Sequence, residues 1–373
     1  MKPYLLLICL LPVALFAQTT YTVCNVPGIK ADYKTLQGAI DSVSANSTLY
    51  VFPSDSSYGG ITIAKKITVI GTGFMLDQNQ EPATTPNTNG AQLSYIHFLK
   101  GSDYSYLEDL QINSITGPGN MSTNYRLFLD SGVSNITINR CWTSIWPDFR
   151  SGNTIVVARN TFNCSINESF LRCFGYNTNH SSGSFFYEAG EGSQNFRLNN
   201  NIIDAPDGCV MNYLLSSLYY GNLFFTNNTF ITRLAGSYFS NYTYVNNFFI
   251  NNDTAQTVPS SVGILNGNCH HNITNTTNLF GIGSLNFHNA NADSIFVYST
   301  FGYHSFDEKW RVRSTSFATI YSNDGGEVGA FGGYNPYKLS GLSRLPYIYD
   351  LSITKDSSTR GNVKLHIKAE ANN

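Results

Sequence analysis

Residues 224–232 read FFTNNTFIT, two adjacent asparagines set between two short apolar runs. Asn227-Asn228-Thr229 fits the N-x-[ST] acceptor pattern, so the pair admits three readings: a sugar attachment point, part of a ligand site, or a structural corner. The rest of the chain decides between them. Two adjacent positions taken by Asn or Arg, then any residue, then a large apolar one, recur as Asn139-Arg140-Cys141-Trp142, Arg159-Asn160-Thr161-Phe162, Asn199-Asn200-Asn201-Ile202 and Asn246-Asn247-Phe248-Phe249. A weaker copy is Thr277-Asn278-Leu279-Phe280. The spacing fits a unit of about 20 residues with insertions.

Each unit opens with a β-alternating run such as ITI (136–138), IVV (155–157) or FRL (196–198), meets the pair, and continues into a second short apolar run. A repeat of that size cannot bury its own apolar face, so copies must stack. The pattern predicts an all-β right-handed parallel β-helix, a solenoid with three short strands per coil and coils about 4.8 Å apart. Asn suits the bends because it tolerates left-handed backbone better than other side chains. Stacked copies can also bond to one another. A propeller would need blades of about 40 residues with their own signatures, and a sandwich would show no Asn file. The corner reading of Asn227 therefore displaces the sugar acceptor. Asn135, Asn167, Asn241 and Asn272 match the same acceptor pattern in a chain crowded with Asn, Ser and Thr.

Composition agrees. Among 373 residues only 12% are charged, while Gly, Asn, Ser, Thr, Tyr and Phe abound. The net charge of −2 supplies no basic face for nucleic acid, so nucleic-acid partners are not expected. MKPYLLLICLLPVALFAQ (1–18) has Lys2, an apolar run and small residues near Ala17. This is the layout of a cleaved secretory signal at 1–17, and no later run is long enough to span a membrane. A secreted, periplasmic or cell-surface location follows. Cys24, Cys141, Cys164, Cys173, Cys209 and Cys269 remain in an oxidising compartment, spaced irregularly and without C-x-x-C. Buried core thiols are the expected reading. Cys164 with Cys173 is the pair to test if there is a disulfide.

Helical spacing occurs once convincingly, at about 32–43 (Tyr33, Leu36, Ala39, Ile40, Val43), with Asp32 as the expected N-cap. LYVF (49–52) and ITIAKKITVIG (61–71) then switch to strand alternation. The solenoid is expected over 18–340. LPYIYDLSI and VKLHIKA in 341–373 are read as a strand pair capping the last coil.

Asp32-Tyr33-Lys34-Thr35-Leu36-Gln37-Gly38-Ala39-Ile40-Asp41, then Leu49-Tyr50-Val51-Phe52-Pro53 and Ile67-Thr68-Val69-Ile70-Gly71, resembles the opening of pectin-lyase-like β-helix proteins. In that superfamily an N-terminal helix covers the open end of the solenoid. Gly329 to Leu342 with Leu345-Pro346-Tyr347-Ile348-Tyr349 resembles the closing segment of secreted β-helix proteins from Gram-negative bacteria. Family catalytic signatures do not carry over. There is no Gly-Arg-Pro-Trp of pectinesterases, no Asp-Asp of polygalacturonases and no arginine element of pectate lyases. The resemblance implies a fold, and fold alone does not fix activity.

Glycoside hydrolysis needs two carboxyl groups across a cleft. Glu188 with Glu191 and Asp204 with Asp207 are the local pairs, although Asp204-Ala205-Pro206-Asp207-Gly208 also reads as a polar turn. A lyase would add a cation, and Asn323-Asp324-Gly325-Gly326-Glu327 offers Asp324 and Glu327 as calcium ligands, two where calcium takes six to eight oxygens. No other cofactor is evident. His270-His271 would point to opposite faces of a strand and so not share an ion. Trp146 and Tyr187 are candidates for stacking on sugar rings. Lys309-Trp310-Arg311-Val312-Arg313 would put Lys309, Arg311 and Arg313 on one strand face, ready for an anionic glycan. With acids and bases thin and scattered, the expectation is an exported glycan-binding protein or cell-surface scaffold. A polysaccharide lyase or glycoside hydrolase with an unfamiliar constellation is the alternative.

Overall fold

Three-residue runs of Ile, Thr, Val and Leu, each closed by a polar bend, pair with the run one coil away. The computed structural model describes residues 19–76, 78, 89–112, 124–145, 152–158, 163–173, 186–189, 195–210, 223–233, 240–251, 266–277, 279–280, 285–297, 305–339, 347–355 and 363–370. Sheet I stacks ten strands: Thr20–Val23, Thr48–Val51, Thr68–Ile70, Tyr106–Glu108, Thr137–Asn139, Ser165–Asn167, Phe196–Asn199, Leu223–Thr226, Ser240–Val245 and Asn266–His270. Sheet II stacks eight: Ala91–Leu93, Leu110–Ile112, Trp142–Ile145, Phe170–Cys173, Ile202–Val210, Thr229–Arg233, Phe248–Asn251 and Ile273–Thr274. Sheet III stacks five: Ile61–Ile63, Ile96–Phe98, Asn124–Leu129, Gly152–Ala158 and Phe186–Ala189. Every pairing within these sheets is parallel, for example Ile138↔Ile166 and Phe230↔Phe249. From Thr68–Ile70 to Phe186–Ala189 the chain visits I, II and III in turn, and beyond that the described strands alternate between I and II, an all-β, solenoid-like architecture. No helix among the described residues is long and apolar enough to cross a membrane.

The tight corner from sheet I to sheet II carries one left-handed residue per coil: Asp109, Arg140, Glu168, Asn200, Asn227, Asn246 and His271, all with φ between 47° and 59°. The next residue points inward. From the fourth of these coils it is Asn201, then Asn228, Asn247 and Asn272, each with no exposed surface. Asn228 shows the bonding. Its Oδ1 accepts from the backbone N–H and Nδ2 of Asn201, both at 3.0 Å, while its Nδ2 donates to Leu198 O (2.7 Å) and to Asn247 Oδ1 (3.0 Å). Both lone pairs and both amide protons are used. The file continues through Asn272 to Asn286 Oδ1 at 3.0 Å, and Ser169 begins it by accepting from Cys141 N–H at 3.0 Å.

Successive rungs lie 28, 32, 27, 19, 25 and 14 residues apart, so insertions sit between strands while the corner stays fixed. This corrects the repeat in three places. Asn139-Arg140 and Asn199-Asn200 stand one residue out of step with Asn227-Asn228, because Arg140 and Asn200 are the left-handed members. Arg159-Asn160 follows a sheet III strand, and those residues lie outside the described ones, as does Asn278. The true corners of the two coils concerned are Glu168-Ser169 and His271-Asn272.

Inward side chains form one continuous core, with rings stacked coil on coil: Phe225 on Tyr244 at 4.9 Å and Phe230 on Phe249 at 4.7 Å. The helix Leu36–Ser42 buries Leu36, Ala39 and Ile40 in it. Its N-cap is Thr35, which accepts from Gly38 N–H at 3.3 Å. Asp32 does not cap the helix, because its carboxylate instead accepts from the N–H (2.7 Å) and hydroxyl (2.8 Å) of Thr22 on the first strand. Cys24, Cys141, Cys164 and Cys269 are buried thiols, so Cys164 is not bridged to Cys173. Burial pushes the Cys164 thiol up to about 12.

Residues 290–297 and 305–339 double back over the outer face of sheet II. There Phe170, Ile202, Ile231, Phe248, Ile250 and Ile273 meet Ile295, Phe296, Trp310, Ala318, Val328 and Tyr337 in a second core. The left-handed asparagines hold this strap. Asn200 Nδ2 donates to Ala330 O (3.0 Å) and Gly332 O (2.6 Å), while Asn246 Nδ2 donates to Asn323 Oδ1 (2.8 Å) and Asn246 Oδ1 accepts from Asn323 N–H (2.9 Å). Gly329 (φ 89°) passes so close that a Cβ would meet the Phe248 ring at 2.4 Å. Tyr347–Lys355 and Val363–Glu370 pair antiparallel in a two-stranded sheet of their own.

Asn228→Ala removes one full rung and orphans several buried donors and acceptors at about 1–3 kcal/mol each. The expected outcome is a loss of about 3 kcal/mol or more, read as a lowered urea midpoint, whereas Asn199→Ala on the half-exposed outside of sheet I costs about 1 kcal/mol.

Candidate functional site

The three outward faces meet different fates. That of sheet II is apolar and covered by the strap. That of sheet III shows Thr62, His97 and Phe128 half-buried, the last two rings 4.7 Å apart. Sheet I turns two files of side chains to solvent. One runs Thr68, Tyr106, Thr137, Ser165, Arg197, Phe224 and Thr243, the other Ile70, Glu108, Asn139, Asn167, Asn199, Thr226 and Val245. All are half-exposed except Arg197, which is exposed, and Glu108 and Asn139, which are buried.

The bonding on this open face is partial. Asn139 Nδ2 donates to Glu108 Oε1 (3.1 Å) and to the Tyr106 hydroxyl (3.2 Å). Asn199 Nδ2 donates to Asn167 Oδ1 (2.9 Å), and Asn167 Nδ2 to the Ser165 hydroxyl (3.3 Å). Among the described residues nothing joins Asn139 to Asn167. The Arg197 guanidinium lies over the Phe224 ring, 5.1 Å from its centre, a cation–π contact that spreads it along the sheet.

A second cluster lies at the corner of the early coils, and sequence reasoning missed it. Arg140 has no exposed surface. Its Nε stands 3.3 Å from Asp109 Oδ1 and its Nη1 3.7 Å from Glu108 Oε1, both acids buried from the neighbouring coil. The strap closes over the same region: the Tyr337 hydroxyl donates to buried Asp307 at 2.9 Å. Burial, then the Asp307 charge, holds the Tyr337 hydroxyl well above its ordinary range, so it stays a donor. A charged residue at a corner position otherwise held by Asn was the available signal.

Of the expected carboxylate pairs, Asp204 alone has a described side chain. Asp204 is buried on sheet II, and its register partner on the adjoining strand is Arg172. The turn expected at 204–208 is instead part of the strand Ile202–Val210. Register passes from Ala205↔Thr232 to Val210↔Arg233, so residues 206–209, with Pro206 among them, bulge out of the ladder. Glu188 and Tyr187 lie on the Phe186–Ala189 strand of sheet III, away from Asp204. The side chains of Tyr187, Glu188 and Asp207, like Glu191 and Trp146 entirely, lie outside the described residues.

Lys309-Trp310-Arg311-Val312-Arg313 is not a strand. Glu308–Trp310 forms a 3-10 turn that buries Trp310. The three cations consequently take separate partners: Lys309 Nζ lies 3.5 Å from the Phe306 ring centre, exposed Arg311 pairs with Glu308 at 3.6 Å, and Arg313 Nε donates to Phe296 O at 2.7 Å. In the Asp324 loop, exposed Asp324 accepts from the Ser322 hydroxyl and from Gly326 N–H, bonds that lower its pKa. Burial pushes the Glu327 carboxyl up to about 7, against a smaller opposing pull from Arg311. Among the described residues no group of three or more His, Cys, Asp or Glu is placed to hold a metal ion. His271 occupies the left-handed corner with its ring against Tyr321, and His270 closes the adjoining strand. No protein-family model matches the chain, and no curated protein matches it.

Arg140→Met strands two buried acids and is expected to cost about 3–5 kcal/mol in chemical denaturation, partly restored when Asp109→Asn is added. For Glu327 the folded carboxyl holds its proton to higher pH than the unfolded one, so stability falls as pH rises from about 4.5 to about 7 and then levels. Glu327→Gln should match the parent near pH 4.5 and gain on it up to pH 7 in the denaturation midpoint, a difference that a constant offset across pH would contradict.

Proposed function

We propose that the protein is an exported right-handed β-helix of the pectin-lyase-like kind that binds extended glycans on the outer face of sheet I. Parallel crossovers in one sheet are nearly always right-handed, which supports the winding. Export rests on Lys2 and the apolar run that follows it, residues that lie outside the described ones.

The observation that carries the reading is the contrast between faces. The strap gives sheet II an apolar cover of its own, while sheet I keeps an uncovered ledge of hydroxyls, amides and rings across ten strands. At about 4.8 Å per strand that ledge is about 43 Å long, suited to a polymer and not to a compact ligand. Its hydrogen-bonding groups stand on strands, and strands hold side chains in fixed spacing more firmly than loops do. Binding without turnover fits a face whose one carboxylate within the files, Glu108, is buried and bonded to Asn139. The strap loop of Asp324 and Glu327 serves as an anchor through Asn323, with calcium as an untaken option in this reading.

Co-sedimentation with insoluble polysaccharides and affinity electrophoresis in soluble ones should retard the mature protein on at least one polymer. Neither reducing ends nor unsaturated products should accumulate. Product release from any polymer would replace the binding reading with a lyase or hydrolase.

A further inference from the structure

The two asparagine files of this protein are built from the same side chain and bond differently. In the buried file Asn228, Asn247 and Asn272 each spend both protons and both lone pairs on neighbours, Asn228 with Asn201, Leu198 and Asn247. On the open face of sheet I, Asn167 and Asn199 share one bond at 2.9 Å, and Asn167 spends a proton on Ser165. Asn199 Oδ1 and the second Nδ2 proton of each amide have no partner among the described residues. These two half-exposed amides, one coil apart and left with spare donors and acceptors, are hydrogen-bonding stations facing outward.

Charge narrows the ligand. Over both files the ionisable side chains are Glu108, which is buried and bonded to Asn139, and Arg197, whose guanidinium is laid on Phe224. His270 ends the last strand. A polyanion would find one cation in the whole ledge, so the electrostatic gain that draws polyanions to basic grooves is missing. An uncharged polysaccharide loses nothing by that and meets groups that match its hydroxyls. Phe224 and Tyr106 add ring faces for the apolar side of a sugar. Spacing fixes direction: coils repeat at about 4.8 Å, and a sugar ring in an extended chain advances by nearly the same distance.

From these observations we infer that sheet I binds a neutral, extended polysaccharide lying along the solenoid axis, one sugar ring per coil, with Asn167, Asn199 and Phe224 at its centre. The inference rests on the glycan-binding reading and deepens it. It predicts insensitivity to salt, because no ion pair is formed.

The test uses the full mature chain and two sets of probes: cello-, xylo- and manno-oligosaccharides as neutral chains, polygalacturonate and alginate as acidic ones. Isothermal titration should detect a neutral oligosaccharide, with affinity that changes less than about twofold between 50 mM and 500 mM salt. Asn167→Ala with Asn199→Ala should weaken binding about tenfold or more, as should Phe224→Leu, which keeps the apolar volume and removes the ring. Arg311→Ala on the strap serves as the control and should bind as the parent does. Matching circular dichroism and thermal midpoints separate loss of contacts from loss of fold. Preference for the acidic polymers with strong salt dependence would overturn the neutral inference and leave the glycan reading standing. Neutral binding untouched by both sheet I variants would overturn the location. Binding to none of the probes in either set would overturn the glycan reading itself.

Discussion

Each coil must turn from sheet I to sheet II within about two residues, and that corner leaves backbone amides facing a core without water. Everything else depends on how those amides are satisfied. A left-handed residue makes the turn, and the next residue supplies a side chain that serves the backbone of the coil before it and bonds to the matching side chain of the coil after it. Asn does this best because its flat amide carries two donors and two acceptors in the plane of the stack. Where the sequence departs from Asn, smaller groups do part of the work: Ser169 accepts from Cys141 and donates to Asn167. The spacing between rungs varies in the sequence while this contact is kept.

That constraint explains what was legible beforehand. Asn227-Asn228 and Asn246-Asn247 announced the corner, and the solenoid-like stack followed from their recurrence. Glu168-Ser169 and His271-Asn272 escaped notice because the left-handed position accepts Glu and His once the neighbours fix the backbone. The one-residue offset at Asn139-Arg140 and Asn199-Asn200 had the same origin, since runs of Asn do not reveal which member is bent. Local pattern also could not show the strap. Trp310 looked like one face of a strand, but its indole is claimed by a core that forms only when residues far apart in the chain meet.

The candidate site was less legible than the fold. Glu108 and Asp109 are adjacent in the chain, but only the stacking of coils brings Arg140 to them. Their burial makes them a fastening of the early coils, close to where Tyr337 and Asp307 of the strap also meet. What faces outward on sheet I consists of residue types so common in this sequence that none stood out. Parallel register turns Thr137, Ser165 and Arg197, or Asn139, Asn167 and Asn199, into files. Only the register, which no single segment encodes, distinguishes a ledge from a scatter of polar residues.

The strap also orders events in time. Solenoid contacts join one coil to the next, so coils can form in succession as the chain is made. Asn200 bonding to Ala330 is a different matter, a closure across 130 residues. Contacts of that reach bear the largest loop-closure cost and come late. Until they form, Ile202, Ile231, Phe248 and Ile250 present a wet apolar surface. The chain therefore has a built-in interval in which its coils are wound and its flank is still sticky, the state in which a chaperone would find it and in which it is most prone to aggregate.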